Sequence, residues 1–335
     1  MAPSNDRSGG DRGDGILVSV ARFWRRSYAA DYVGFAALLA AYMVLVFFVQ
    51  PFHRMFSISD LAISFPHAEH ERVPVAMNVV YAAAVPLAVV VATNLATRAS
   101  AHKHHVAILG LAIGIILTTF LTDVVKNAVG RPRPDLLARC KPKSGTAENR
   151  LVDWTVCTET QQHLLHDGWR SFPSGHSSFS FAGLGYTALF LAGQLRIFAY
   201  DGERDGEEDG SGAGKMERVV SAAHGRGLGA ALFCMIPLLG ATMIAISRCQ
   251  DYRHDVYDVC TGALLGFVVT YWSYRRYWPR LGSYRCSEPW PSPGAVEDRG
   301  KGYARMRRDE ESAVRGGGGS SAGYSGGYEM RIMER

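Results

Sequence analysis

The chain has 335 residues, 47% hydrophobic and 20% charged, with a formal net charge of +5 at pH 7. Its mean hydropathy near zero suggests a soluble protein, but the average hides strong segregation, and the soluble reading is set aside by the apolar runs described next. The length leaves room for one large domain or two small ones. The bulk charge selects no partner, because the basic residues are distributed by position along the chain, and no nucleic-acid partner is expected.

In chain order, residues 1–30 form a polar amino-terminal segment with an interfacial helix expected around Ile16–Tyr28. Six apolar runs follow, at Tyr32–Val49, Val75–Ala96, Val106–Val125, Phe179–Leu195, Leu228–Ile246 and Val259–Trp272. A helix needs about 20 residues to cross a hydrocarbon core. The last run reaches that length if its helix begins near His254 and ends near Trp278. The expected fold is therefore all-α: a multi-pass membrane protein with a six-transmembrane-helix bundle over 31–280 and disordered termini. Five further spans follow the first, which argues against a cleaved signal peptide. The loop 51–73 suits a segment lying along the membrane or a simple linker. The loop 197–226 (with DGERDGEEDG) and the tail 281–335 are polar, charged or Gly-rich and are expected to be disordered.

Charge sets the orientation. Arg22, Arg25 and Arg26 precede the first span, Arg98 and Lys103 occupy the second loop, and Arg275, Arg276 and Arg280 follow the last span. By the positive-inside rule these segments are cytoplasmic, and an even number of spans returns both termini to that side. The basic loop 126–173 then lies outside, where a functional site would account for its charges. Cys140 and Cys157 share that loop and either form a disulfide, which an oxidising compartment permits, or remain free thiols. The six cysteines fit no metal spacing. The cluster His102, Lys103, His104 and His105 reads as a basic interfacial group, with a metal site the less favoured alternative. Asp123, near the end of the third span, is explained by pairing with Lys126 one turn on.

Three separated motifs carry the chemistry. They run from Lys126 to Pro134 (KNAVGRPRP), from Pro173 to His176 (PSGH), and from Ser247 to Asp258 (SRCQDYRHDVYD). His254 and Asp258 are four apart and share a helix face. A carboxylate there fixes the imidazole tautomer and makes His254 a nucleophile or base. Alone, the pair could equally be a solvated helix cap. Ser174 and Gly175 open the fourth span, and a helix amino terminus binds anions. His176, on that first turn, is placed to protonate a leaving alkoxide. Lys126, Arg133 and Arg248 add cations able to neutralise a phosphate and its developing charge. In a bundle of antiparallel spans, all three motifs meet on one face. The cations occupy the space a divalent ion would need, so no metal and no cofactor is expected.

The strings GRPRPD, FPSGHSS and SRCQDYRHDVYDV resemble the type 2 phosphatidic acid phosphatase superfamily and, within it, the eukaryotic lipid phosphate phosphatase and diacylglycerol pyrophosphate phosphatase branch. The resemblance covers roughly residues 30–280. It implies that His254 attacks phosphorus to form a phosphohistidine oriented by Asp258, and that His176 serves the leaving alcohol as acid and then water as base. It implies that Lys126, Arg133, Ser174, Gly175 and Arg248 bind the phosphoryl oxygens. The implied reaction is Mg²⁺-independent hydrolysis of phosphatidate, diacylglycerol pyrophosphate or lysophosphatidate. The implied partner is a phospholipid in the bilayer, met on the lumenal or extracellular face of an endomembrane (endoplasmic reticulum, Golgi or vacuole) or of the plasma membrane. The long insert between the second and third motifs departs from the pattern and falls on the opposite side from the site. Sphingoid-base phosphate phosphatase, isoprenyl pyrophosphatase and phospho-headgroup transferase activities use the same residues. A non-catalytic lipid-binding or transport protein is the alternative of another class, and it needs no aligned acid and nucleophile.

Overall fold

The computed structural model describes residues 20–21, 23–24, 26–199, 227–283 and 285–296. The interfacial helix expected at Ile16–Tyr28 falls partly outside them, as do most of the 197–226 loop and the tail beyond 296. Asp31–Trp290 forms one compact unit. Its described residues are helical, without a β-strand; only two isolated bridges occur, Phe56 with Val152 and Pro142 with Cys157.

Each of the six apolar runs falls, to within one residue, in a long helix: α1 (Ala29–Phe48), α2 (Val75–Ala96), α3 (Ala101–Val129), α6 (Gly175–Gln194), α7 (Leu228–Gln250) and α8 (Val256–Tyr277). Two short helices, α4 (Leu136–Cys140) and α5 (Gln162–Asp167), stand between α3 and α6. Among the described residues, α1, α2, α3 and α7 are long and apolar enough to cross a bilayer. The other two are long enough but more polar, and their position explains why. α6 packs against α2, α3, α7 and α8, so its Ser177, Ser178, Ser180 and Thr187 face protein rather than lipid and are buried.

Those hydroxyls tie the helices together. Ser177 Oγ donates to Val259 O at 2.7 Å and Thr270 Oγ1 to Ala182 O at 2.6 Å. Ser273 Oγ donates to Gly110 O at 2.6 Å, and the Thr122 and Ser178 hydroxyls meet at 2.8 Å. Without a hydrophobic drive between helices in lipid, such bonds and close backbone approach hold the bundle together. Helix backbones also approach closely at two glycines one turn apart on α8. A Cβ on Gly262 would lie 2.5 Å from Ser174 O, and one on Gly266 would lie 2.2 Å from Ser178 O.

At the end of the bundle where α3 stops and α6 starts, a cap covers the helices. Phe56, Ile63, Leu136, Cys140, Leu165 and Trp169 form its core. The segment 51–73 is more than a bare linker: Phe56 and Ile63 bury into the cap, and Phe56 bridges to Val152. Of the apolar residues in this segment, Phe56 and Ile63 face the cap core, whereas Phe52, Met55 and Leu61 are exposed. The tail also begins later than 281, because Leu281 packs with Leu191, Ala192 and Cys234, Cys286 is buried, and the Trp290 amide donates to Tyr277 O at 2.9 Å. At that opposite end, Lys103 pairs with Glu288 at 3.1 Å and the His105 ring meets the Tyr32 hydroxyl at 2.7 Å.

Cys140 and Cys157 are joined, 17 positions apart, within the cap. Closing a loop of that length restricts the unfolded chain by about 3 kcal/mol. Cys140→Ser is expected to lower the thermal midpoint in detergent, and reductant should bring the wild-type protein to the same value.

Candidate active site

The three motifs converge at the capped end. Lys126 is in the last turn of α3, Ser174 is the N-cap of α6, Arg248 is in the last turn of α7, and Asp258 is in the first turn of α8. Lys126, Arg133, Ser174, Arg248, His254 and Asp258 are buried, whereas Gly175 and His176 are half-buried. A Cβ on Gly175 would lie 3.4 Å from Lys126 Cε, which places this backbone directly against the lysine. The imidazole of His254 feels Arg133, Lys126, Arg248 and His176 together.

Removal from water, followed by those cationic neighbours, holds the His254 pKa well below the ordinary value of 6.5. His254 is therefore a neutral imidazole at neutral pH and carries a lone pair. Its Nδ1 lies 3.7 Å from Asp258 Oδ2, beyond hydrogen-bond distance, and has no other partner among the described residues. The sequence predicts a closed hydrogen bond here; the structure leaves it open. The reason lies in the carboxylate. A fully buried charge must be paired, and Asp258 is held by Arg131 Nη1 at 2.6 Å on Oδ1 and by Ser171 Oγ at 2.6 Å on Oδ2. The Asp255 amide also donates to Oδ2, closing a capping box.

His176 is held differently. Its Nε2 lies 3.1 Å from Val73 O, and a carbonyl can only accept, so Nε2 carries the hydrogen and Nδ1 is left for another partner. The same carbonyl accepts from Arg248 Nη1 at 2.8 Å, and Arg248 also pairs with Glu71 at 3.2 Å. Glu71 and Val73 belong to the segment 51–73 and were not singled out in the sequence, which has no periodicity there to mark them.

A ring of counter-charges supports the cations. Arg133 pairs with Asp167 at 2.8 Å; Arg139 and Arg253 reach the other oxygen of that carboxylate at 3.1 and 3.2 Å. Burial pushes the Asp167 pKa up, but Arg133, Arg139 and Arg253 outweigh it and keep the group ionised. Burial beside Arg133 and Arg139 brings Arg253 down to about 10, still cationic at neutral pH. Lys126 Nζ donates to Arg170 O at 2.8 Å. Asp123 pairs with Arg170 at 3.0 Å, not with Lys126 as the one-turn spacing predicts. Lys126 points into the site, and Arg170 enters from the cap to take its place.

Several buried polar atoms of this cluster have no hydrogen-bond partner among the described residues: Ser174 Oγ, Arg133 Nε, Arg248 Nε and His254 Nδ1. Orphaned buried groups are costly, and these surround the helix amino terminus that presents free N–H groups. Three are hydroxyl or guanidinium donors, and such a set suits a tetrahedral oxyanion. No group of three His, Cys, Asp or Glu able to hold a metal ion occurs among the described residues. Beside the cluster lies a cavity of about 240 Å³, with Val46, Phe47 and Phe48 on one wall and His163, His166, Asp167 and Arg170 on the other.

Comparison with known proteins agrees in kind. The PAP2 superfamily matches residues 107–281. The chain is 37% identical over 260 residues to "Probable diacylglycerol pyrophosphate phosphatase 1" of Schizosaccharomyces pombe, covering 77% of this chain and 84% of the relative. It is 36% identical to "Diacylglycerol pyrophosphate phosphatase 1" of Saccharomyces cerevisiae, over 76% of this chain and 79% of that protein. It is 32% identical to "Lipid phosphate phosphatase 2" of Arabidopsis thaliana, over 78% and 80%. No solved structure matches.

Proposed function

The chain belongs to the PAP2 superfamily, and from that premise we propose that it is a membrane-embedded lipid phosphate phosphatase working through a phosphohistidine on His254. The observation that carries the reading is the convergence of unpartnered donors around a neutral, buried His254. Relatives named for diacylglycerol pyrophosphate and lipid phosphate support the lipid phosphatase reading, with phosphatidate, diacylglycerol pyrophosphate and lysophosphatidate as the proposed substrates.

The steps follow from the geometry. Nδ1 of His254 faces Asp258, so Nε2 attacks phosphorus while the bond to the leaving oxygen breaks. Lys126, Arg133, Arg248, the Ser174 hydroxyl and the Gly175 amide hold the equatorial oxygens and their growing charge. His176, protonated at Nδ1, gives that proton to the leaving alcohol, or to the phosphate of phosphatidate when a pyrophosphate is cleaved. Asp258 stabilises the positive phosphohistidine. Water then attacks phosphorus, its proton passes to His176, and the P–N bond breaks to release inorganic phosphate. No step calls on a metal.

The amphipathic cavity suits a lipid whose polar end meets Arg170 and whose chains lean on α1. On the positive-inside reading of six spans the capped end faces the lumenal or extracellular side, a reading supported by the Cys140–Cys157 disulfide, which suits an oxidising compartment.

The test is phosphate release from phosphatidate and diacylglycerol pyrophosphate in mixed micelles, with and without excess EDTA. Turnover insensitive to chelator, with an acid-labile, base-stable phosphoenzyme after rapid quench, is expected. A chelator-killed reaction or an acid-stable phosphoenzyme would contradict it.

A further inference from the structure

Asp258 stands at the centre of an arrangement that the three motifs do not explain. One of its oxygens is taken by Arg131, and the other by Ser171 and the Asp255 amide. Arg131 also reaches Asp255 with its second nitrogen at 2.9 Å, so a single guanidinium spans both carboxylates at the start of α8. Arg131 lies between the two cations of the first motif but points away from their counter-ion, Asp167. Ser171 precedes the second motif and is fully buried. Meanwhile His254 Nδ1 waits at 3.7 Å from the oxygen Ser171 occupies.

We propose that Arg131 and Ser171 are positioning residues that clamp the Asp258 carboxylate and limit how much of its charge reaches His254. The inference rests on the reading of His254 as nucleophile. A carboxylate bonded strongly to a neutral imidazole raises its pKa and favours the protonated ring, which cannot attack. Sharing the carboxylate with a guanidinium and a hydroxyl keeps His254 neutral in the resting enzyme. It still leaves a counter-charge within reach once the ring carries a phosphoryl group and turns positive. The groups facing His254 are Arg133, Lys126, Arg248, His176 and Asp258; those facing Asp258 are Arg131, Ser171, Asp255 and His254. Arg131 thus acts on His254 only through Asp258.

The experiment compares pH–rate profiles of the full-length protein in mixed micelles. Arg131→Gln is expected to lower kcat by roughly 10–100-fold, as loss of an orienting partner does, with KM changed far less. Its acidic limb should move up by about one pH unit, the size of effect a nearby charge has on a titrating group. Arg131→Lys keeps the charge and should hold the limb at its wild-type position. Ser171→Ala, a small change in a buried site, should move the limb in the same direction as Arg131→Gln. Limbs that stay put in both Arg131→Gln and Ser171→Ala overturn the proposal, whatever activity remains. His254→Ala, run alongside, separates the two ideas. If it stays active, the nucleophile reading fails; if it is dead while the limbs do not move, only the clamp fails.

Discussion

His254→Ala abolishes lipid phosphate hydrolysis, with a loss on the order of 10⁴-fold or more, because the other imidazole of the site, His176, is held by Val73 O and does not face Asp258. The protein should still fold, since the ring makes no hydrogen bond through Nδ1 and the helices around it are tied by hydroxyls and backbone contacts elsewhere. The same variant should form no phosphoenzyme with any substrate. His176→Ala behaves differently. It should lose about 10²–10⁴-fold on phosphatidate, but with an activated aryl phosphate, whose leaving group needs no proton, it should show a burst and then stall as phosphohistidine. The neutral state of His254 sets the direction of the pH profile. A group with a depressed pKa is an active nucleophile above that pKa, so the acidic limb for kcat/KM should lie below the usual imidazole value of 6.5. Full activity in His254→Ala, or a limb at higher pH, would defeat the assignment.

Gly266→Ala is expected to cost about 1–3 kcal/mol by overpacking and to lower kcat in the protein that remains folded. Its new Cβ would lie 2.2 Å from Ser178 O and 3.0 Å from the carbonyl carbon, so α8 must move away from α6. That motion carries Asp258 and the preceding His254 away from Ser174, whose amide donates to Asp258 O at 2.9 Å. Gly262→Ala should do the same one turn nearer the chemistry. The control is Gly240→Ala on α7, where the nearest atom would be Leu184 Cδ1 at an ordinary 3.7 Å. A helical glycine replaced there should be neutral or slightly stabilising. Thermal melts in detergent and initial rates below the transition separate these outcomes; equal behaviour of Gly266→Ala and Gly240→Ala would show that the close approach does not matter.

The legible part of the site was the part with a period or a special residue type. Lys126, Arg133, Ser174, Gly175, His176, Arg248, His254 and Asp258 stood at helix ends whose antiparallel order forced them together, and the structure brings them together. The illegible part was supplied by residues with no pattern of their own. Glu71 and Val73 reach the site from a loop whose sequence suits a segment lying along the membrane or a simple linker. Asp167 and Arg170 come from the cap, and the pairing of Arg170 with Asp123 displaced a one-turn salt bridge that was sufficient on local grounds. Arg131 sat inside the first motif, but nothing in its spacing distinguished a phosphate ligand from a partner of Asp258.

By itself, the sequence determined the helices and the end of the bundle at which the charges meet. Apolar length and helix-end chemistry are local properties and survive in any packing. Only the tertiary structure decided which helices hide inside, since a serine-rich span is acceptable where protein accepts its hydrogen bonds. It likewise decided which charge answers which. A buried carboxylate takes the nearest desolvated donors whatever their distance in sequence, and Asp258 is therefore held by Arg131, Ser171 and the Asp255 amide while His254 Nδ1 stays 3.7 Å away.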